Sequence, residues 1–485
     1  MEIVEGSRRA DSAHLSSRRR ASRLARRRKI LAVRLAWFTP LPPVTSGVAQ
    51  YSVDALAGVL PAHDVDVFVA SAAELSFART QHLPARSAHD FVWLHEKAPY
   101  DLVVYQLGNA GCHDFMWPYL FQYPGLVVLH DAHLHHARAA SLLSRHRTKE
   151  YAAELVFSHP EVPPERAAIG VAGFGGPISY FWPMLRSVVL SARRVAVHNP
   201  IVAADLCETF DGPPVDVIRL GVADPLATAG LPNEARAQSR ARLSLAPDAF
   251  VVLAYGGITP EKRITSAIHA IAATRHHHHD LRLLTVGTGP GTYDPRTVAR
   301  AAGVADRLTV AGYVSDEELP SCLLAADAAL ALRWPTARET SAAWVQCIAA
   351  GLPTVLTDLI HLAHIPTLEP RGWTVCHLES GPVVPVAISI DITDEDGLLR
   401  RALRRLIADA PLRATLGAAA RAYFERHHTL AQMHADYRRV LDAAAASPPP
   451  RVTLPRHLRP DPLQLATSLA GSMGVNFRWV NEAGE

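Results

Sequence analysis

Leu332-Arg333-Trp334-Pro335-Thr336-Ala337-Arg338-Glu339-Thr340-Ser341 leads into an apolar helical stretch, Ala342 to Ala350, and then into Gly351-Leu352-Pro353-Thr354-Val355-Leu356-Thr357-Asp358. The order is strand end, polar loop, helix, glycine stop and new strand. Thr340 or Ser341 can cap the helix, and Gly351 can terminate it. In an open α/β sheet such a loop lies at the carboxyl end of a strand, where ligands bind. It offers a carboxylate, Glu339, and several backbone donors at one helix N-terminus.

Outward from this unit, short apolar runs alternate with helical patterns in both directions, which predicts parallel α/β layering. Strands are expected at 30–38, 65–70, 102–106, 126–130, 194–198 and 215–219, then at 249–255, 282–286, 307–312, 328–333 and 353–357. Pro225, Gly230 and Pro232 separate the two series. The resulting division is a basic, disordered arm at 1–29, a Rossmann-like domain at 30–224, a second at 225–429, an amphipathic helix at 430–446 and a Pro-containing tail at 447–485. Two doubly wound sheets facing each other place a cleft between the carboxyl ends of both sets of strands. The chain past Pro366 reads as less regular.

A chain of 485 residues is too long for one core, and 49% hydrophobic with 20% charged residues excludes disordered, collagenous and coiled-coil classes. Five cysteines without a C-x-x-C pair argue against a disulfide framework or a structural zinc, and fit a reducing cytoplasm. The net charge of +3 hides an asymmetry: residues 1–30 hold nine Arg and one Lys against three acidic residues, a local +7. That arm reads as a disordered extension or an over-long start; its charge alternatively suits peripheral contact with an anionic membrane. No apolar run is long enough to span a bilayer, and no nucleic-acid partner is expected.

Four elements carry chemistry. Ser46 can cap a helix beginning near Val48, with Gly47 letting a phosphate approach the exposed N–H groups, although an empty structural turn would look the same. His130-Asp131 ends a strand, which puts His130 in the cleft; His133, His135 and His136 read as surface residues at a helix start. Tyr255-Gly256-Gly257-Ile258-Thr259-Pro260-Glu261-Lys262-Arg263 turns a strand into a helix, with Lys262 as a point charge for a phosphate, and it lacks the Walker spacing. The loop at 332–341 is the fourth. Two tempting metal patterns fail: adjacent imidazoles at His276 to His279 point in different directions, and Asp64-Val65-Asp66 opens a strand, so it reads as a solvated strand start.

Glu339-Thr340-Ser341, the Ala350-Gly351-Leu352-Pro353-Thr354-Val355 turn, Gly256 to Lys262, and Phe38-Thr39-Pro40-Leu41-Pro42-Pro43 with Ser46-Gly47 resemble retaining glycosyltransferases of family 4 (glycosyl transferases group 1), over roughly residues 30–445. The resemblance implies a GT-B fold and a nucleotide-diphosphate sugar as donor, with no cofactor and no metal. It implies a glycan, lipid-linked or small-molecule acceptor on the first domain. By the same likeness Lys262 holds the diphosphate, Glu339 the donor sugar's hydroxyls, Thr340 and Ser341 the phosphate region, His130 the sugar from across the cleft, and Gly47 the phosphate-facing loop. Gly256, Gly257, Arg263, Arg338 and Cys347 complete the expected donor site. Two positions depart from the pattern. Cys347 stands where the family commonly has a ribose-binding glutamate, a loss of about 1 to 3 kcal/mol of hydrogen bonding. Gly257 stands where an arginine is usual, so the second cation must come from Arg263, Arg333 or Arg338. Alternative readings are a nucleotide-sugar epimerase, another GT-B relative, or a noncatalytic binding protein.

Overall fold

Buried apolar runs become strands wherever helices cover them on both faces. The computed structural model describes residues 33–459 except 174–178, 228–231, 290, 292, 316 and 379–382, so the basic arm and the tail beyond 459 lie outside the described residues. The first sheet contains β1 (Arg34–Phe38), β2 (Asp64–Val69), β3 (Ala85–Ser87), β4 (Leu102–Leu107), β5 (Leu126–Leu129), β6 (Arg194–Val197) and β7 (Val215–Val217). Its order is β3-β2-β1-β4-β5-β6-β7, parallel throughout. The second contains β8 (Phe250–Tyr255), β9 (Leu281–Val286), β10 (Leu308–Gly312), β11 (Ala328–Ala331), β12 (Thr354–Thr357), β13 (Thr367–Glu369), β14 (Thr374–Cys376) and β15 (Ala387–Ile390). Its order is β10-β9-β8-β11-β12-β15-β13-β14. The strand order reverses at β1 in one sheet and at β8 in the other, which fixes where a ligand crevice opens.

Several sequence expectations need correction. The chain past Pro366 is regular: β13 and β14 form an antiparallel pair at the sheet edge and β15 inserts beside β12. β13 and β14 have three residues each, and β14 is exposed, so neither leaves an apolar run to read. β3 escaped notice for the same reason. Asp66 is not a solvated strand start. It accepts the Tyr100 hydroxyl at 2.7 Å and pairs with Arg86 at 2.6 Å, at the end of the sheet away from the cleft. The described part of the tail is packed, with Leu454 and Leu458 buried in the core of the first sheet.

The helix Leu430–Ala446 crosses back to the first sheet and lies on the helix Gly47–Val59. The approach is close: a Cβ on Gly58 would meet the His434 ring at 2.2 Å. The Tyr51 hydroxyl donates to the Tyr437 hydroxyl at 2.9 Å, and Arg219 holds Asp436 through two bonds of 2.8 and 3.1 Å. Beside this crossing Val222 pairs with Thr429, so the two passages between the sheets run side by side. Among the described residues no helix is long and apolar enough to cross a membrane.

Candidate active site

The loop after β11 enters the helix Ala342–Ala349, whose cap is Ser341: its Oγ accepts the Trp344 N–H at 3.3 Å. Cap and helix point the free N–H groups of the first turn into the cleft between the sheets. Glu339 is fixed from its own loop, Oε2 accepting from the Ala337 N–H at 3.0 Å and the Thr336 hydroxyl at 3.2 Å. Its other oxygen pairs with the Arg333 guanidinium. Thr340 Oγ1 is buried without a hydrogen-bond partner among the described residues.

Lys262 arrives from the loop after β8. Gly256 has φ +119°, and a Cβ there would lie 3.7 Å from both Cε and Nζ of Lys262 and 3.5 Å from Ala343. Those are ordinary contact distances, so it is the positive φ that calls for glycine here, and the same distances place Lys262 and the start of the 342–349 helix around one point. Burial and the neighbouring Arg333 pull the Lys262 ammonium down to about 7, against the attraction of Glu339 and Cys347. No hydrogen bond reaches this ammonium from the described residues. Cys347 is 3% exposed, and burial pushes its thiol up to about 12, so it stays neutral beside the lysine.

Lys262, Arg333, Glu339, Thr340 and Ser341 line one cavity, closed from the other side by His198 and Asn199 and floored by His361, His364 and His428. Burial holds these four histidines at about 4, neutral near pH 7. The walls touch where Ala132 N–H donates to the Ala337 carbonyl at 2.9 Å, Asn199 Nδ2 to the His361 carbonyl at 2.7 Å, and Arg338 pairs with Asp205 at 2.5 Å, and at the floor His428 Nδ1 donates to the Leu220 carbonyl at 2.8 Å.

The structure brings Gly256, Lys262, Glu339, Thr340, Ser341 and Cys347 together and leaves other expected residues elsewhere. Arg263 turns away, in the left-handed region at φ 56°, and grips Glu395 with bonds of 2.9, 3.1 and 2.5 Å. Arg338 is a seam residue between the sheets. Gly257 has only Thr259 and the Thr288 carbonyl near its missing Cβ, both at 3.9 Å, so it leaves open room and supplies no charge. Ser46 caps its helix, accepting the Val48 N–H at 3.2 Å, and Gly47 faces open space, but neither lines the cavity. His130 is committed elsewhere: Nε2 meets Gln106 Oε1 at 2.9 Å and Nδ1 meets His198 Nε2 at 3.0 Å, so neither ring nitrogen is left for a sugar.

Sequence reasoning did not rank Arg333, and it missed Gly287, Gly289 and the cleft histidines. A Cβ on Gly287 would fall 1.9 Å from the Gly256 carbonyl oxygen and one on Gly289 would fall 1.8 Å from that of Ile258, so both glycines are obligatory for the loop that carries Lys262. The signal was present, as Val286-Gly287-Thr288-Gly289 directly after a strand. His198 was equally visible at the end of its strand.

Residues 249–380 match the family model described as Glycosyl transferases group 1. The chain is 27% identical over 255 residues to D-inositol 3-phosphate glycosyltransferase of Salinispora arenicola, covering 48% of this chain and 51% of that protein. It is 30% identical over 178 residues to alpha-D-kanosaminyltransferase of Streptomyces kanamyceticus, covering 37% and 41%. It therefore spans about half the length, or less, of the curated relatives it matches. Among solved structures, Anabaena Alr3699/HepE in complex with UDP and glucose superposes with TM-score 0.59 at 14% identity, over 85% of this chain and all of that one. A glycosyltransferase from Rickettsia africae gives 0.61 at 12%, over 86% and all of that chain. The chain thus has the GT-B fold, two Rossmann-like domains facing a cleft, and its second domain carries the group 1 glycosyltransferase pattern.

Proposed function

We propose that the protein is a retaining glycosyltransferase that moves a sugar from a nucleotide-diphosphate sugar to a glycan, lipid-linked or small-molecule acceptor. The observation that carries this reading is the convergence of Lys262, Arg333 and Glu339 at the N-terminus of the 342–349 helix, inside the cleft. Breaking the anomeric bond puts negative charge on the departing diphosphate, and two cations and a helix dipole aimed at that point stabilise it. Arg333 supplies the cation that Gly257 cannot. Glu339, locked by its loop, presents a carboxylate to sugar hydroxyls. Retention of configuration follows from the family resemblance, and charge neutralisation by side chains makes the reaction metal-independent. The first domain holds the acceptor.

The solved HepE complexes contain UDP and UDP-glucose, which makes these the first probes. The test is calorimetry with UDP, ADP and GDP, followed by a screen of their sugar conjugates with and without EDTA, with the product anomer read by NMR. Binding of one nucleotide and EDTA-resistant release of it from its sugar conjugate are expected. Absence of any nucleotide binding defeats the reading, and full dependence on added manganese defeats its metal-free part.

A further inference from the structure

The described part of the tail packs on the first domain without a part in the reading above, and it brings cations with it. His457 Nε2 meets Glu154 Oε1 at 2.8 Å, and Leu454 and Leu458 are buried in the core of the first sheet, so Arg456 and Arg459 ride on an anchored segment. They share a cavity with Arg147 and Lys149, from the turn between the helices His135–Ser144 and Thr148–Ser158. A second cavity, lined by Arg138, Arg145 and Trp117, has Arg147, His457 and Arg459 in common with the first. The two openings form one cationic recess, built jointly by the helix turn and the tail. None of these residues lines the donor cavity.

Charge in the recess is unevenly met. Arg145 pairs with Asp114 at 3.1 Å, and Arg147 with Glu150 through Nε at 3.2 Å. Arg138 is 6% exposed, lies 4.5 Å over the Trp117 ring and holds Glu154 through Nε and Nη2. No hydrogen bond from the described residues reaches its Nη1. Arg459 donates Nε to the Leu454 carbonyl at 2.7 Å, and among the described residues neither Arg459 nor Lys149 nor Arg456 has an acidic partner. Asp114, Glu150 and Glu154 thus leave three of the six cations uncompensated. Like charges gathered around one opening repel, and an anion within it relieves them all.

We propose that this recess binds a phosphate group, carried by a soluble molecule or by a lipid headgroup. Guanidinium forks match phosphate oxygens two at a time, and Lys149 adds a mobile point charge. Glu154 clamps Arg138 and His457 in advance, which spares part of the ordering that binding would otherwise require. The helix His135–Ser144 starts behind the cleft wall and ends at the recess, roughly 15 Å away at 1.5 Å per residue. The recess therefore retains a phosphate-bearing molecule on the first domain and takes no part in bond breaking.

The experiment uses the full chain, with pyrophosphate in calorimetry and vesicles of phosphatidylglycerol or phosphatidylcholine in sedimentation. Because the donor cavity also suits a diphosphate, Lys262→Ala serves as the calorimetric background. Into it, and into the parent for sedimentation, go Lys149→Ser, Arg456→Ser and Arg459→Ser together; all three side chains are exposed, and thermal melting checks the fold. If the combination melts early, Lys149→Ser alone repeats the test. For a soluble ligand, Lys262→Ala is expected to keep pyrophosphate binding and the three serines to weaken it about tenfold or more. For a headgroup, the serines are expected to lower sedimentation with phosphatidylglycerol by a similar factor and to leave phosphatidylcholine unaffected. Pyrophosphate affinity and vesicle sedimentation that both stay within about threefold after the substitutions overturn the proposal, as does a parent that binds neither probe.

Discussion

The two walls of the cleft use their polar groups in opposite ways. On the first domain the groups are closed on one another: His130 sits between Gln106 and His198, His198 Nδ1–H donates to the Ile218 carbonyl, and the Gln106 amide donates to the Tyr437 hydroxyl. On the second domain they are left open: among the described residues no hydrogen bond reaches Lys262, and Thr340 Oγ1 and Gln346 Oε1 are buried without partners. A buried polar group without a partner costs about 1 to 3 kcal/mol. A wall that bears this cost is built for a ligand, and one that avoids it is built as a scaffold. The scaffold wall has exceptions of its own: among the described residues His133 Nδ1 is buried without a partner.

The comparison breaks most directly at Lys262. Lys262→Ala is expected to lower turnover by a hundredfold or more, about 3 kcal/mol of transition-state stabilisation, with a smaller loss of ground-state binding; near parental turnover in a folded variant removes the second wall from the chemistry. Glu339→Gln follows, with a loss of about ten- to a hundredfold in the use of sugar nucleotide and unchanged affinity for the bare nucleoside diphosphate. Equal losses for both ligands show that Glu339 only holds Arg333 in place. On the scaffold wall the readout is stability. Tyr437→Phe strands Tyr51 and Gln106 and is expected to cost about 1 to 3 kcal/mol of unfolding free energy while leaving nucleotide affinity intact; denaturant titration and calorimetry separate the two.

Protons sharpen the comparison. Lys262 is largely neutral above about pH 7 in the free protein, and a bound diphosphate restores its charge. Nucleotide binding is therefore expected to take up a fraction of a proton at pH 8 and almost none at pH 6, visible as a dependence of calorimetric heat on buffer. The cleft histidines act in the other direction. Their folded pKa values of about 4 lie below the unfolded 6.5, so the unfolded chain binds more protons between those values. Stability is fully present above pH 6.5 and falls as pH drops toward 4, which melting curves across that window check. The smallest effect belongs to Cys347→Ala, where a neutral thiol gives way to a methyl group and nucleotide affinity is expected to hold within about threefold.

What the sequence revealed follows from how local each feature is. Ser341, Glu339 and Lys262 announce themselves because caps, loop charges and glycine turns are written within ten residues of one another. The choice among Arg263, Arg333 and Arg338 was not legible, since it depends on Glu395 and Asp205, which lie far away in the chain. His130 misled for the same reason. Its position lies at a strand's end, but its partners Gln106 and His198 come from two other strands, with Gln106 held in turn by Tyr437 of the helix 430–446, and those contacts turn a cleft residue into a buried strut. β13 and β14 were invisible because three-residue strands carry no periodicity.

The returning helix has a consequence for anyone cutting or recombining this chain. By packing, 430–446 belongs with the first sheet, so the first domain is discontinuous in sequence and a division at 224 severs it. A fragment ending there leaves Trp37 and Leu56, both 0% exposed and part of one apolar cluster with Tyr437, Val440 and Leu441, facing water. A hybrid that takes its acceptor half from one relative and its donor half from another must exchange both termini together and join them at two seams, near 222 and near 429. Those seams lie side by side, so the donor half is an insertion into the acceptor half.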